Sequence, residues 1–131
     1  MAQNTAPIFE LVPIVKGSQF TNADTTAKKT LVTADATDGT RIDSIMCSTD
    51  DTATVNMRFY INDGTTDFYI GVVNLPISAG YAGVARVEAM ATLSPSLGYL
   101  FIPAGGSLKG ACLATMTAAK TTDIVAMGGD F

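Results

Sequence analysis

The residues of this chain that could do chemistry are mostly aspartates, and their spacing places them in turns. Asp50 and Asp51 are the one adjacent acidic pair. Two carboxylates can divide acid and base roles when their surroundings push their proton affinities apart. Neighbours on a strand face opposite ways, however, and Ser48-Thr49-Asp50-Asp51-Thr52 reads as a solvated turn. Asp35 with Asp38, and Asp63 with Asp67, raise the question of calcium. Neither set matches a twelve-residue loop with glycine sixth and acid twelfth, and a turn accounts for each. Gly80-Tyr81-Ala82-Gly83 and Gly105-Gly106 are too sparse for a phosphate cradle.

No histidine occurs in 131 residues. That absence excludes Ser-His-Asp and Cys-His catalysis and argues against structural or catalytic zinc. The acids and bases left are turn aspartates, Glu10, Glu88 and scattered lysines. The expectation is a protein without cofactor, metal or enzymatic activity. Cys47 and Cys112 read as buried, reduced thiols packing as small hydrophobes, with a disulfide open only if the chain ends up outside a cell.

Binding is the better prospect, and here the aromatics matter. Tyr60, Tyr69 and Tyr81 could stack on a sugar, but Tyr60 and Tyr69 fall on one hairpin and equally make a cross-strand pair or a subunit interface. At the beginning, the apolar Pro7-Ile8-Phe9 and Leu11 follow a polar arm. At the end, Gly128-Gly129-Asp130-Phe131 closes on an aromatic, either folded back on its own domain or held by a neighbour. Pro7, Ile8, Phe9, Leu11, Tyr60, Tyr69 and Phe131 are therefore the candidate interface residues. The net charge is −4 with eight Lys and Arg dispersed along the chain, so neither nucleic acid nor an anionic membrane is an expected partner. The start has no basic-then-apolar pattern of a secretory signal, and the longest apolar runs stop well short of a membrane span.

The elements that must position these residues are short strands. Val55, Met57, Phe59 and Ile61 alternate with Asn56, Arg58, Tyr60 and Asn62, and Asp67 to Val73 returns with Phe68, Ile70 and Val72 in phase. Further strands are expected at 29–33, 41–48, 97–102, 107–115 and 122–127, with a turn at 35–40. Val84 to Leu93 fits a strand better than a helix; Gly17 to Thr26 reads as a loop. Residues 7–15 carry two prolines, which confines them to an edge strand or an arm. The expected fold is all-β: one antiparallel β-sandwich or jelly-roll-like barrel of about eight or nine short strands. Residues 1–16 would form the arm and edge strand, and 17–131 the sandwich, with a flexible tail at 128–131.

The Thr/Ala/Gly-rich all-β composition, Ala6-Pro7-Ile8-Phe9, the Ile102-Pro103-Ala104-Gly105 turn and the closing Gly128-Gly129-Asp130-Phe131 resemble the head decoration or cement proteins of tailed bacteriophages. That resemblance implies a capsid-surface protein made in the host cytoplasm. It would often be a trimer, and would bridge the major capsid protein or other virion subunits without an active site. Ile8, Phe9 and Leu11 would anchor it, with Phe131 as a second contact. A tail-tube, connector or fibre subunit, or a glycan- or receptor-binding module, is the alternative.

Overall fold

The computed structural model of the chain describes residues 12–131. Nine strands follow in order: β1 (Val12–Thr21), β2 (Lys29–Thr33), β3 (Thr40–Thr49), β4 (Val55–Asn62), β5 (Asp67–Leu75), β6 (Val87–Glu88), β7 (Leu100–Ile102), β8 (Ser107–Cys112) and β9 (Thr121–Asp130). One short helix, α1 (Met90–Leu93), lies between β6 and β7. The first sheet runs β1-β9-β3-β6, with β7 also pairing β3; the second runs β2-β8-β4-β5.

With β7 set aside, the pairings nest. β1 pairs β9, β2 pairs β8, β3 pairs β6 and β4 pairs β5, all antiparallel. Folding such a ribbon over itself brings β9 against β3 and β8 against β4. That is the winding of a jelly roll, so the expected all-β sandwich stands. Alternation supplies the core: Phe20, Ile42, Ile45 and Ile124 from one sheet meet Val32, Met57, Phe59 and Leu108 from the other, all fully buried. Burying a side chain of this size is worth about 1.5–3 kcal/mol.

Four expectations change. Gly17 to Thr21 is strand rather than loop, because β1 keeps ten unbroken pairs with β9, from Val12↔Asp130 to Thr21↔Thr121. A division between residues 16 and 17 therefore falls inside one strand, and Pro13 is accommodated because β1 is a sheet edge. Gly128 and Gly129 belong to β9, gripped between β1 and β3, instead of forming a flexible tail. A Cβ on Gly128 would collide with the Arg41 carbonyl oxygen, so glycine serves close packing there.

Strand also fills only a small part of Val84 to Leu93. The Glu88 carboxylate accepts from the amides of Ile45 (2.8 Å) and Met90 (3.2 Å), ending β6 and starting α1. Finally, the alternation of β5 shifts at a bulge. Tyr60 faces Tyr69 and Phe59 faces Gly71, leaving Ile70 as the extra residue. Beyond it Val72 points outward, and Val73 and Leu75 are the buried pair.

Candidate interaction surfaces

The turn aspartates are structural ties. Asp51, 1% exposed, accepts from the Ala53 amide (2.9 Å), the Thr117 amide (3.0 Å) and the Thr117 hydroxyl (2.6 Å). It is a buried staple between the 50–54 and 113–120 loops, not a solvated turn residue. Burial pushes its carboxyl up, but the Thr117 hydroxyl and the amides of Ala53, Thr117 and Thr52 outweigh that and hold it below the usual range. Asp50 accepts from the Thr121 amide (2.8 Å). Asp35 accepts from Thr37 and Asp38, and Asp63 from Thr65 and Thr66, as Asx turns do. Among the described residues no cluster of three or more acid or thiol side chains could hold a metal ion.

Both cysteines are free and buried. Burial raises the Cys47 thiol to about 12, with the Glu88 charge adding to the effect. Cys112, whose Sγ lies 3.5 Å from the Met57 sulfur, is pushed up to about 11, chiefly by burial.

Tyr60 and Tyr69 are brought together on the outer face of the β2-β8-β4-β5 sheet. Their rings meet edge-on, 5.6 Å between centroids. The Lys28 ammonium sits 4.3 Å over the Tyr60 ring, so that ring face is already occupied. Asp67 organises this face. Asn62 donates to it at 2.6 Å, and it pairs with Lys28 at 3.0 Å and Lys109 at 3.1 Å. Those bonds, Asn62's first, hold the carboxyl well below its ordinary value. Arg58 and Val72 stand opposite each other and exposed on the same face. Tyr81 is exposed elsewhere, on the loop after β5, with Ile77 and Val84.

A second surface lies where the chain ends. Val12 pairs Asp130, which pairs Thr40, which pairs Ile102. The Thr40 hydroxyl donates to the Asp130 carboxylate at 2.5 Å. Phe131 follows, its amide donating to the Gly39 carbonyl (3.3 Å) and its half-buried ring 5.7 Å from that of exposed Phe101. Phe131 thus lies against its own domain, with part of its ring still open to solvent. Pro7, Ile8, Phe9 and Leu11 lie outside the described residues.

No family model matches the chain, and no curated protein matches it. A solved structure does: a chain of the acid-stable capsid structure of Helicobacter pylori bacteriophage KHP30, with a TM-score of 0.50. The alignment covers 92% of this chain and 90% of that one, at 12% identity. The likeness is one of fold. It takes in nearly the whole of both chains.

Sequence reasoning missed the Asp67 hub, Phe101 and the role of Glu88. Alternation places Tyr60 and Asn62 on one face, so a polar partner across the hairpin was legible. Lys28 and Lys109 arrive from other elements, and only folding brings them to Asp67.

Proposed function

We propose that this chain is a virion structural protein of a tailed phage, which docks on the outside of an assembled capsid and bridges neighbouring capsid subunits. One observation carries the reading: a nested jelly-roll ribbon whose likeness to a chain in a phage capsid structure runs almost end to end. Its contact is made by the end of the sandwich where Phe101 and Phe131 meet and where β1 begins at Val12, together with residues 1–11. Val12 is 55% and Phe101 49% exposed, which leaves apolar surface at this end for a partner to cover. Ile8, Phe9 and Leu11 anchor, in the manner of a strand or plug added to a neighbour's groove. Each contact is modest, and repetition over many copies makes the grip firm. The work is mechanical, without turnover, and the partner is the major capsid protein or another virion protein.

The lectin alternative is weakened by the tyrosines themselves, because Lys28 covers one ring face of Tyr60 and the Tyr60 and Tyr69 rings pack against each other. Shells lacking the protein, mixed with purified chain and sedimented, test the proposal. Saturable co-sedimentation of the full chain is expected, with loss of binding when residues Met1 to Phe9 are deleted and circular dichroism unchanged. No sedimentation of the full chain overturns the docking; undiminished occupancy after the deletion overturns the role of the arm.

A further inference from the structure

We infer that the outer face of the β2-β8-β4-β5 sheet, centred on Arg58, Tyr60 and Tyr69, is a docking site for a second copy of this chain. The contact is head-to-tail, through a carboxylate-bearing part of that copy's surface.

The first support is composition. Arg and Tyr are the residue types that dominate the energetic centres of protein interfaces, and three of them stand together here. Tyr69 is 56% exposed and Val72 41%, so the face has an apolar component large enough to be worth covering. Arg58 is exposed and makes no ion pair among the described residues, between Val72 on one flanking strand and Ala111 on the other. A guanidinium held on a rigid strand offers a fork that matches a carboxylate in two places.

The second support is charge complementarity. Lys28, Arg58 and Lys109 stand against the single carboxylate of Asp67 on this face, in a chain whose net charge is −4. The rest of the molecule is therefore more acidic than the total, and every other copy offers that acidic surface. The positions are also fixed in advance: Asp67 grips both lysines, and the Tyr60 ring lies under Lys28. Lys28, Lys109 and Tyr60 therefore have little side-chain freedom left to lose on docking.

The same charges decide the symmetry. A twofold contact would set this face against itself, cation against cation. A heterologous contact sets it against acidic surface, and such contacts close into rings or run on as open arrays. The inference is independent of the shell-binding proposal, because purified chain alone tests it.

The experiment is sedimentation velocity on the full-length chain over a range of concentrations. Concentration-dependent association is expected at about 50 mM salt, weakening markedly towards about 500 mM as the charges are screened. Exposed Arg58 lets Arg58→Glu fold, which circular dichroism checks, and this variant should associate roughly tenfold or more weakly. Mixed with wild type, it should cap assemblies and lower their mean mass, because its acidic surface still fits a wild-type face. A chain that stays monomeric at every salt and concentration overturns the inference. So does association that Arg58→Glu leaves unchanged, or a monomeric chain whose face binds only a foreign acidic protein.

Discussion

Thr117 donates twice to Asp51, once from its amide at 3.0 Å and once from its hydroxyl at 2.6 Å, and so fastens the loop after β8 to the loop after β3. Bonds to an ionised group in a buried site are among the costlier ones to lose. Asp51→Asn turns an amide donor towards donors already committed, and should destabilise the fold by about 1–3 kcal/mol. Thr117→Val should recover part of that loss when combined with it. The urea midpoints of the two single variants and the double variant measure the coupling, and strict additivity would show that the two residues do not act together.

Acid should weaken the fold through the same groups. The carboxyls of Asp24, Asp51, Asp63 and Asp67 are all held below their ordinary values. A carboxyl with a lowered folded-state pKa binds its proton more readily in the unfolded chain. Its contribution is complete above the unfolded value, about 3.9, and is lost as pH falls below that towards the folded value. The melting temperature should therefore be nearly flat from about pH 7 to 5 and drop below about pH 4. A flat profile through pH 2.5, about one and a half units below the unfolded value, would contradict this.

Gly128→Ala should damage the fold badly, by about 3 kcal/mol or more, because the new methyl meets the backbone of Arg41 and no side chain there can give way. Gly17→Ala is the control, since nothing lies within 4 Å of its added carbon. Equal thermal stability of the two variants would refute the close-packing role of Gly128.

Neither thiol should react in the folded protein. Burial raises Cys47 to about 12 and Cys112 to about 11, and it is the thiolate that attacks a disulfide reagent. Titration with an aromatic disulfide at pH 8, well below either value, should give two thiols only after denaturant is added. Rapid native labelling of either cysteine would show that the core admits the reagent.

Phe131→Ala should cost about 0.5–1.5 kcal/mol, the worth of an aromatic pair at a half-exposed site, with Phe101→Ala similar and the double variant less than their sum. Unchanged stability in both would mean that the ring pair contributes nothing to the fold of the isolated domain.

Much of the architecture was legible along the chain. The period of two in Val55 to Ile61 fixed the buried face of β4, the Asp-Gly turns marked where strands end, and the missing histidine by itself narrowed the chemistry. Lys29–Thr33 was readable to the residue. These features are local, set by which side chains a pleated backbone turns inward. The nested pairing of β1 with β9 and β2 with β8 was not legible, because it joins residues far apart in the chain whose mutual fit leaves no local mark. The same holds for Asp51 as a buried staple, for Glu88 halting β6, and for the lysines converging on Asp67. Composition and alternation settled what must be inside. Only the wrapped ribbon decided which polar groups would meet, since a carboxylate's role depends on donors that separate strands bring to it.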